Sequence, residues 1–375
     1  MTPRPLTVLH LVANRWWTGS AEPVTRLVLA LRARGHRALL ALAGGDRFEV
    51  KAREAGVEPL EGLRLDVKSG PLAIMGDARH LRTLVARERV DVVHTHHSHD
   101  HWLGWWGRGG AALLRTFHNE RAVRTGWPDT MLYRRSDGLI AVSGHIEQRL
   151  RGAGIPHELL RRVDGVVDVA RFASDPAGAA KIREEFSVGG APLIGCVSRL
   201  AASRGHETLI EAFRRILAAR PEARLLLVGK GERRDALVDL VARLGLQRQV
   251  LFAGYRDADL PAVVASLDVF VLLGAGSDES CRAALEAMAA GRPVVAAPVG
   301  ALPDAVIHEE TGLLVDAHPE NVAAALERLL ANPNERRAMG EAGRSRATEL
   351  FSPERHAAAM EALYLEALAD RARRS

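Results

Sequence analysis

Gly274–Pro298 reads GAGSDESCRAALEAMAAGRPVVAAP. A glycine-rich loop carrying Asp278 and Glu279 leads into a helix carrying Glu286, then a tight turn at Gly291 and a short apolar strand. Where that loop meets the helix, backbone N–H groups and the positive end of the helix dipole face the loop. This end suits an anion, and the acidic side chains suit the hydroxyls of a sugar or ribose. A strand feeding a glycine loop, a helix and a second strand is the α/β unit from which parallel sheets are built.

The same alternation runs outward in both directions. Leu6–Val12 predicts a buried strand. A loop carries Trp16, Trp17, Gly19 and Ser20, and a helix follows from Glu22-Pro23 to Arg34 with Gly35 closing it. Gly19-Ser20 lets backbone approach a ligand closely. Strands are expected at 36–42, within 55–60, and at 91–95, 113–117 and 138–142. Parallel sheets bind ligands at the C-terminal ends of their strands, and those ends deliver His96, His97, His118 and Ser143. Ser143 is also a good N-cap for the helix after it. A break at Asp175–Gly178 precedes a second series, with strands at 193–197, 224–228, 250–253, 269–272, 294–296 and 313–315 and a last helix from Pro353 to about Arg371. The pattern predicts an α/β chain of two Rossmann-like domains facing across a cleft. Residues 1–176 with the final segment 353–375 form the first, and 177–352 the second.

Composition narrows the class. The chain has 375 residues, 47% of them hydrophobic and 26% charged, as in a globular protein. Its two cysteines, Cys196 and Cys281, give no disulfide framework and point to a reducing compartment. The N-terminus lacks a signal-peptide h-region, and no run reaches a membrane span, so a cytoplasmic location is expected. Net charge is +5 but uneven: residues 1–180 hold 26 basic against 19 acidic side chains, leaving the remainder with 25 against 27. All six tryptophans also fall in the first half. Basic charge with tryptophan admits a peripheral contact with an anionic membrane, on the inner face of the plasma membrane. Ordinary solvated surface is the alternative. The His94–His101 run resembles a metal site in composition but lacks a helical ligand spacing. No metal is expected, and His96, His97 and His99 are candidate acceptor contacts. Trp16 and Trp17 are candidates to stack on an acceptor, with core packing as the alternative.

An ordered series of segments resembles the retaining family 4 glycosyltransferases of the GT-B fold (glycosyl transferases group 1). It comprises TGSAEPVTRLVLALRARGH, DVVHTHHSH, RTFHNE, AVS, VDGVVDVARF, GCVSRLAASRGHETLIEAF, LLLVGKGE, LFAGY, LEAMAAGRPVVAAPVGALPDAV and TGLLV. It covers nearly the whole length. The resemblance implies an acceptor-binding first domain and a nucleotide-sugar-binding second domain. It implies that Arg199 and Arg204 neutralise the donor diphosphate, where the family usually has Arg and then Lys. It implies that Gly229 and Gly231 lie beside the nucleotide, that Gly254 and Tyr255 read the base, and that Glu286 holds ribose hydroxyls. It implies that Ser280, Cys281 and Arg282 line the donor sugar. Gly19 and Ser20 match a Gly-Gly loop near the diphosphate, with Ser20 in place of glycine. His118 matches a histidine whose imidazole or backbone lies near the transferred sugar. The first acid of the family's E-x7-E motif is Asp278, and neighbouring Glu279 is the alternative.

The implied reaction moves a sugar from a UDP- or GDP-linked donor to a glycan or lipid-linked acceptor with retention, as in cell-envelope polysaccharide assembly, without a cofactor. Departure of the diphosphate builds negative charge on phosphate and positive charge on the sugar ring. Cations and preorganised dipoles at those places lower the barrier. Same-face attack, with the departing phosphate helping remove the acceptor proton, needs no metal. Partners are thus a nucleotide sugar and an acceptor, not nucleic acid. The rivals are a nucleotide-sugar-binding protein of the same fold with weak or no turnover, and a nucleotide-sugar epimerase. A phosphorylase would need a pyridoxal-binding lysine, and the four lysines (Lys51, Lys68, Lys181, Lys230) offer that context only loosely at Lys230.

Overall fold

The computed structural model describes residues 4–17, 20–66, 70–173, 175–276 and 279–374. They form two compact units. The first runs through Asp164, resumes at Pro353 and takes in Glu279; the second comprises Gly165–Gly276 and Ser280–Ser352. The chain thus divides before the Pro176/Ala177 boundary expected from sequence. The reason is packing: Val167 and Phe172 are buried in the core of the second unit, whereas Val163 is buried in that of the first.

The first unit contains β1 (Thr7–Val12), α1 (Ala21–Ala33), β2 (Arg37–Leu42), α2 (Arg47–Glu54), α3 (Pro71–Glu88), β3 (Val92–Thr95) and α4 (Ser98–Gly107). It continues with β4 (Ala112–Phe117), α5 (Trp127–Arg134), β5 (Gly138–Ala141), α6 (Gly144–Gly152) and β6 (Leu160–Arg162). The strands form one parallel sheet in the order β2-β1-β3-β4-β5-β6. Both faces are covered, so its strands read as continuous apolar runs rather than alternating ones. Along β1 the side chains still alternate: Val8 and Val12 join the cluster on one face, Leu9 and Leu11 that on the other.

The second unit repeats the plan. Its elements are α7 (Pro176–Glu185), β7 (Leu193–Val197), α8 (His206–Ile216), β8 (Arg224–Val228), α9 (Arg234–Arg243), β9 (Val250–Gly254), α10 (Leu260–Ala265) and β10 (Val269–Leu272). Then come α11 (Arg282–Ala289), β11 (Val294–Ala296), α12 (Leu302–Ala305), β12 (Gly312–Leu314), α13 (Pro319–Ala331) and α14 (Pro333–Leu350). Its parallel sheet has the order β12-β11-β10-β7-β8-β9. Strand order reverses between β1 and β3 in one sheet and between β7 and β10 in the other, the crevices where doubly wound sheets take ligands.

One expectation fails locally. Residues 55–60 hold no strand. Helix α2 ends there in a left-handed turn at Gly56 (φ 82°), Val57 N–H bonds back to Ala52 O (2.8 Å), and Leu60 N–H alone reaches Leu40 O (2.7 Å). One bond makes no ladder. The histidine run after β3 continues into α4, because Asp100 bonds the His97 N–H (2.8 Å) and closes the first turn.

The last helix, α15 (Pro353–Arg374), packs with the first unit, as the sequence implied. Ala357, Met360, Tyr364 and Ala367 enter the cluster formed by α1, β1 and β2. Glu361 receives Arg34 (2.6 Å) and lies 3.5 Å from His36 Nε2. Tyr364 places its hydroxyl 2.8 Å from His94 Nδ1 in the sheet. Among the described residues no helix is long and apolar enough to cross a membrane. Replacing Tyr364 with Phe strands a ring nitrogen of the fully buried His94. We expect a loss of roughly 1–3 kcal/mol, read as a lowered urea midpoint; an unchanged midpoint would show that the hydroxyl holds nothing.

Candidate functional site

In the second unit the crevice between β7 and β10 is built from backbone pressed on backbone. Strand β7 ends at Val197 and the chain turns through Ser198–Leu200 and a short 3-10 turn, Ala202–Arg204, before α8. Gly205, left-handed at φ 70°, makes the bend into that helix. Three glycines pack against this turn. A Cβ on Gly229 would lie 2.0 Å from Ser198 O, one on Gly231 2.1 Å from Leu200 O, and one on Gly274 2.2 Å from Ser203 O. The close approach explains Gly229, Gly231 and Gly274 without invoking flexibility. Gly229 N–H bonds Gly254 O (2.8 Å), and Leu200 N–H bonds Lys230 O (2.9 Å), which locks the two loops together.

The two arginines on this turn differ. Arg199 is exposed and gives Nη2 to Glu232 Oε2 at 2.9 Å. Glu232 was not singled out from sequence, and only its fold neighbour reveals it. Arg204 is half-buried and forms no ion pair among the described residues. Burial holds its guanidinium below the ordinary arginine range, and the like charge of Arg199 adds to this. The thiols of Cys196 and Cys281 lie within electrostatic reach of it, so the end of β7 and the start of α11 come together. Beneath the turn, Ser198 Oγ bonds His206 Nε2 (3.0 Å) and contacts Cys196 Sγ (3.6 Å). Burial raises the Cys196 thiol to about 11, so it is inert.

Within Gly274–Pro298, Asp278 lies outside the described residues. Glu279 is buried and belongs to the first unit, where its N–H donates to His118 O (2.7 Å) and its Oε1 accepts the Glu120 N–H (2.6 Å). Ser280 is buried, and Cys281 caps α11 in the left-handed region (φ 51°), a strained place for a side chain. Glu286 is buried on α11 and paired with Arg282 (3.2 Å). Gly254 is left-handed (φ 68°) with open space around it, and Tyr255 is exposed, its ring 5.4 Å from Lys230 Nζ.

In the first unit the β1–β3 crevice gathers histidines. His10 and His94 are register partners on adjacent strands, and their rings lie 5.1 Å apart. His96 bonds His10 Nδ1 through Nε2 (3.2 Å) and His118 Nε2 through Nδ1 (3.1 Å). His94 bonds Tyr364 and Thr116 Oγ1, each at 2.8 Å. His101 is held by Thr95 and Ser136. Ser20 is buried and meets His97 Nε2 (3.2 Å) instead of capping α1. Gly19 lies outside the described residues. Asp100 ties the crevice by accepting the Ala13 and His97 N–H groups.

Direct acceptor contact, expected of His96, does not fit: it is buried and both ring nitrogens are engaged. His97 and His99 are half-buried at the start of α4. Trp16 is exposed, whereas Trp17 packs on Phe48 (5.8 Å between rings). His10 was missed; a histidine inside an apolar strand was the available signal. His10, His94 and His96 could each turn a nitrogen to a common point, but a metal there would displace hydrogen bonds at every ring nitrogen except His10 Nε2.

Each unit is a doubly wound parallel sheet with a crevice at its switch point, and in the second unit that crevice is floored by glycines and carries two arginines. Residues 179–346 match the family model described as Glycosyl transferases group 1, and residues 17–171 that described as Glycosyltransferase Family 4. A GDP-mannose-dependent alpha-(1-6)-phosphatidylinositol monomannoside mannosyltransferase from Mycobacterium tuberculosis is 31% identical over 328 residues, 80% of this chain and 81% of that protein. A D-inositol 3-phosphate glycosyltransferase from Segniliparus rotundus is 32% identical over 348 residues, 83% of this chain and 74% of that one. A glycosyltransferase structure from Rickettsia africae has TM-score 0.86 at 20% identity, covering 98% of this chain and 99% of its own. The chain belongs to family 4 of the GT-B glycosyltransferases.

Burial holds His10 at about 3 and His206 and His356 at about 4, and it keeps His94, His96 and His101 well below the ordinary histidine range. Unfolding returns each to about 6.5. Below that pH the unfolded chain binds protons that the folded chain refuses, so stability falls as pH drops from about 6.5 towards 4. We expect a lower urea midpoint at pH 5.5 than at pH 7.5, a range above carboxylate titration; equal midpoints would contradict neutral burial.

Proposed function

We propose that this enzyme transfers mannose from GDP-mannose to a lipid-linked glycan acceptor with retention of configuration, in glycolipid synthesis of the cell envelope. The observation that carries the donor reading is Arg204: a half-buried guanidinium, without an ion pair among the described residues, on the turn that precedes a helix N-terminus. A buried cation without a counter-charge is costly, and a diphosphate would supply the missing charge bidentately. Arg199 sits on the same turn and would exchange Glu232 for phosphate. Glu286 would take ribose hydroxyls, Gly254 and Tyr255 the base, and Ser280–Arg282 with Asp278 or Glu279 the sugar. The choice of GDP-mannose and of a lipid acceptor is supported by the relatives' names. His118, Ser20, His97 and His99 in the first unit are the acceptor and sugar contacts of this reading.

In the chemistry, Arg204 and Arg199 take up the negative charge that grows on the leaving diphosphate, so their interaction strengthens in the transition state. The departing phosphate oxygen accepts the proton of the attacking hydroxyl. The exposed Trp16, Trp106, Trp127 and Leu72, together with the basic balance of the first half, support contact with an anionic membrane where the acceptor lies.

A thermal-shift comparison of GDP-mannose, UDP-glucose and the free nucleotides tests the donor, since a ligand of the native state raises Tm. GDP-mannose should give the largest shift, and a response to UDP-glucose alone would overturn the GDP assignment. Release of GDP with vesicles containing phosphatidylinositol monomannoside should follow; donor binding without release would favour a binding protein. Arg204→Ala should weaken donor binding about ten- to a hundredfold, the worth of a charge-assisted hydrogen bond. Arg199→Ala should cost less, because its exposed guanidinium already has a partner. Full donor affinity in Arg204→Ala would sink the phosphate assignment.

A further inference from the structure

We propose that His96, backed by His10, is a positioning residue that fixes the tautomer of His118, so that His118 carries its proton on Nδ1 and is a hydrogen-bond donor there. This rests on the reading that His118 lies at the transferred sugar.

The three rings form one series. His118 Nε2 faces His96 Nδ1 at 3.1 Å, and His96 Nε2 faces His10 Nδ1 at 3.2 Å. Every ring is buried, with 0% of His10, 3% of His96 and 7% of His118 exposed. Each nitrogen pair can hold one proton, so the direction of one bond dictates the direction of the next. Two arrangements exist, and they differ at the far end of the chain. His10 Nε2 is buried and has no hydrogen-bond partner among the described residues. If it carried the proton, an N–H would be orphaned in the core. If it carries the lone pair, only an acceptor is left unsatisfied, which folded proteins tolerate more readily.

His10 therefore keeps its proton on Nδ1 and gives it to His96 Nε2. His96, with Nε2 accepting, keeps its own proton on Nδ1 and gives it to His118 Nε2. His118, with Nε2 accepting, is neutral and has its proton on Nδ1. A ring held this way can donate at Nδ1 and cannot accept a proton there, so it is excluded as a general base at that nitrogen. The backbone around it is fixed as well, because Glu279 N–H holds His118 O at 2.7 Å. The neighbouring His94 takes no part in the series, since Tyr364 and Thr116 occupy both its nitrogens.

Nitrogen-15 NMR of histidine-labelled protein at pH 7.5 tests the assignment without any activity. His118 signals are identified by their loss in His118→Gln. We expect an unprotonated Nε2 and a protonated Nδ1 on His118; a protonated Nε2 in the wild-type protein overturns the proposal, whatever the variants do. In His96→Leu the lock is gone, so an Nε2–H population should appear on His118. In the same variant, kcat for GDP release from GDP-mannose with phosphatidylinositol monomannoside vesicles should fall about tenfold, one hydrogen bond's worth of transition-state positioning, while donor KM stays within about twofold. His96→Asn keeps an amide at the Nδ1 position and should restore kcat to within about threefold. Equal losses in both variants, or a loss confined to KM, would reduce His96 to a structural group. If the wild-type tautomer is as assigned but His118→Gln transfers sugar at the wild-type rate, the series stands and the role of His118 in transfer falls.

Discussion

The turn between β7 and α8 exists because backbone is allowed to touch backbone. At Gly229, Gly231 and Gly274 an added Cβ would come within about 2 Å of a carbonyl oxygen of that turn. With those three positions bare, the loops after β7, β8 and β10 collapse onto one another and lock by main-chain hydrogen bonds. That collapse is what draws Arg204 partly out of water while leaving it without a carboxylate partner among the described residues. Its depressed proton affinity is the electrostatic record of the same packing. Arg199, a few residues earlier and still in solvent, keeps an ordinary exposed ion pair, an interaction worth little in water. Two arginines on one short turn thus sit in very different electrostatic surroundings.

The histidines follow from a second constraint. Register pairing of β1 with β3 sets His10 beside His94, and the pleat turns both towards the face covered by α15. Imidazole survives there because almost every nitrogen finds a neighbour: tyrosine, threonine, serine or another imidazole. Burial then strips the rings of charge. What looks in sequence like a metal-binding run is largely a neutral hydrogen-bonded layer through the middle of the first unit.

Legibility in the sequence tracked burial. Strands β7, β8, β10 and β11 lie where their apolar runs placed them, because a strand covered on both faces has no reason to alternate. The segment at 55–60 misled: Val57 and Leu60 are apolar but serve to close α2 and to cover the sheet edge, and a single main-chain bond there does not extend a ladder. The unit boundary was displaced because the Asp-Pro-Ala-Gly break at Asp175–Gly178 is the N-cap of α7, a local signal, whereas the division is decided by which core takes Val167 and Phe172. Arg199, Arg204 and the glycine loops could be named from motif order alone. Glu232 at Arg199, Asp100 across the first crevice and the direction of the histidine series could not, since each depends on side chains brought together by the sheet.

Helix α15 carries a consequence for how the molecule is made. It follows every other segment of both units in the chain, yet Met360 and Tyr364 complete the hydrophobic cluster begun by β1 and α1, and Glu361 answers Arg34. The unit that is translated first is therefore the one finished last. Until residues 353–374 emerge, one face of its sheet stands uncovered, with His94 lacking its phenol and an apolar surface open to water. The second unit, whose segments are all synthesised before α15, has no such wait. Transiently exposed apolar surface of this kind is where incompletely folded chains aggregate.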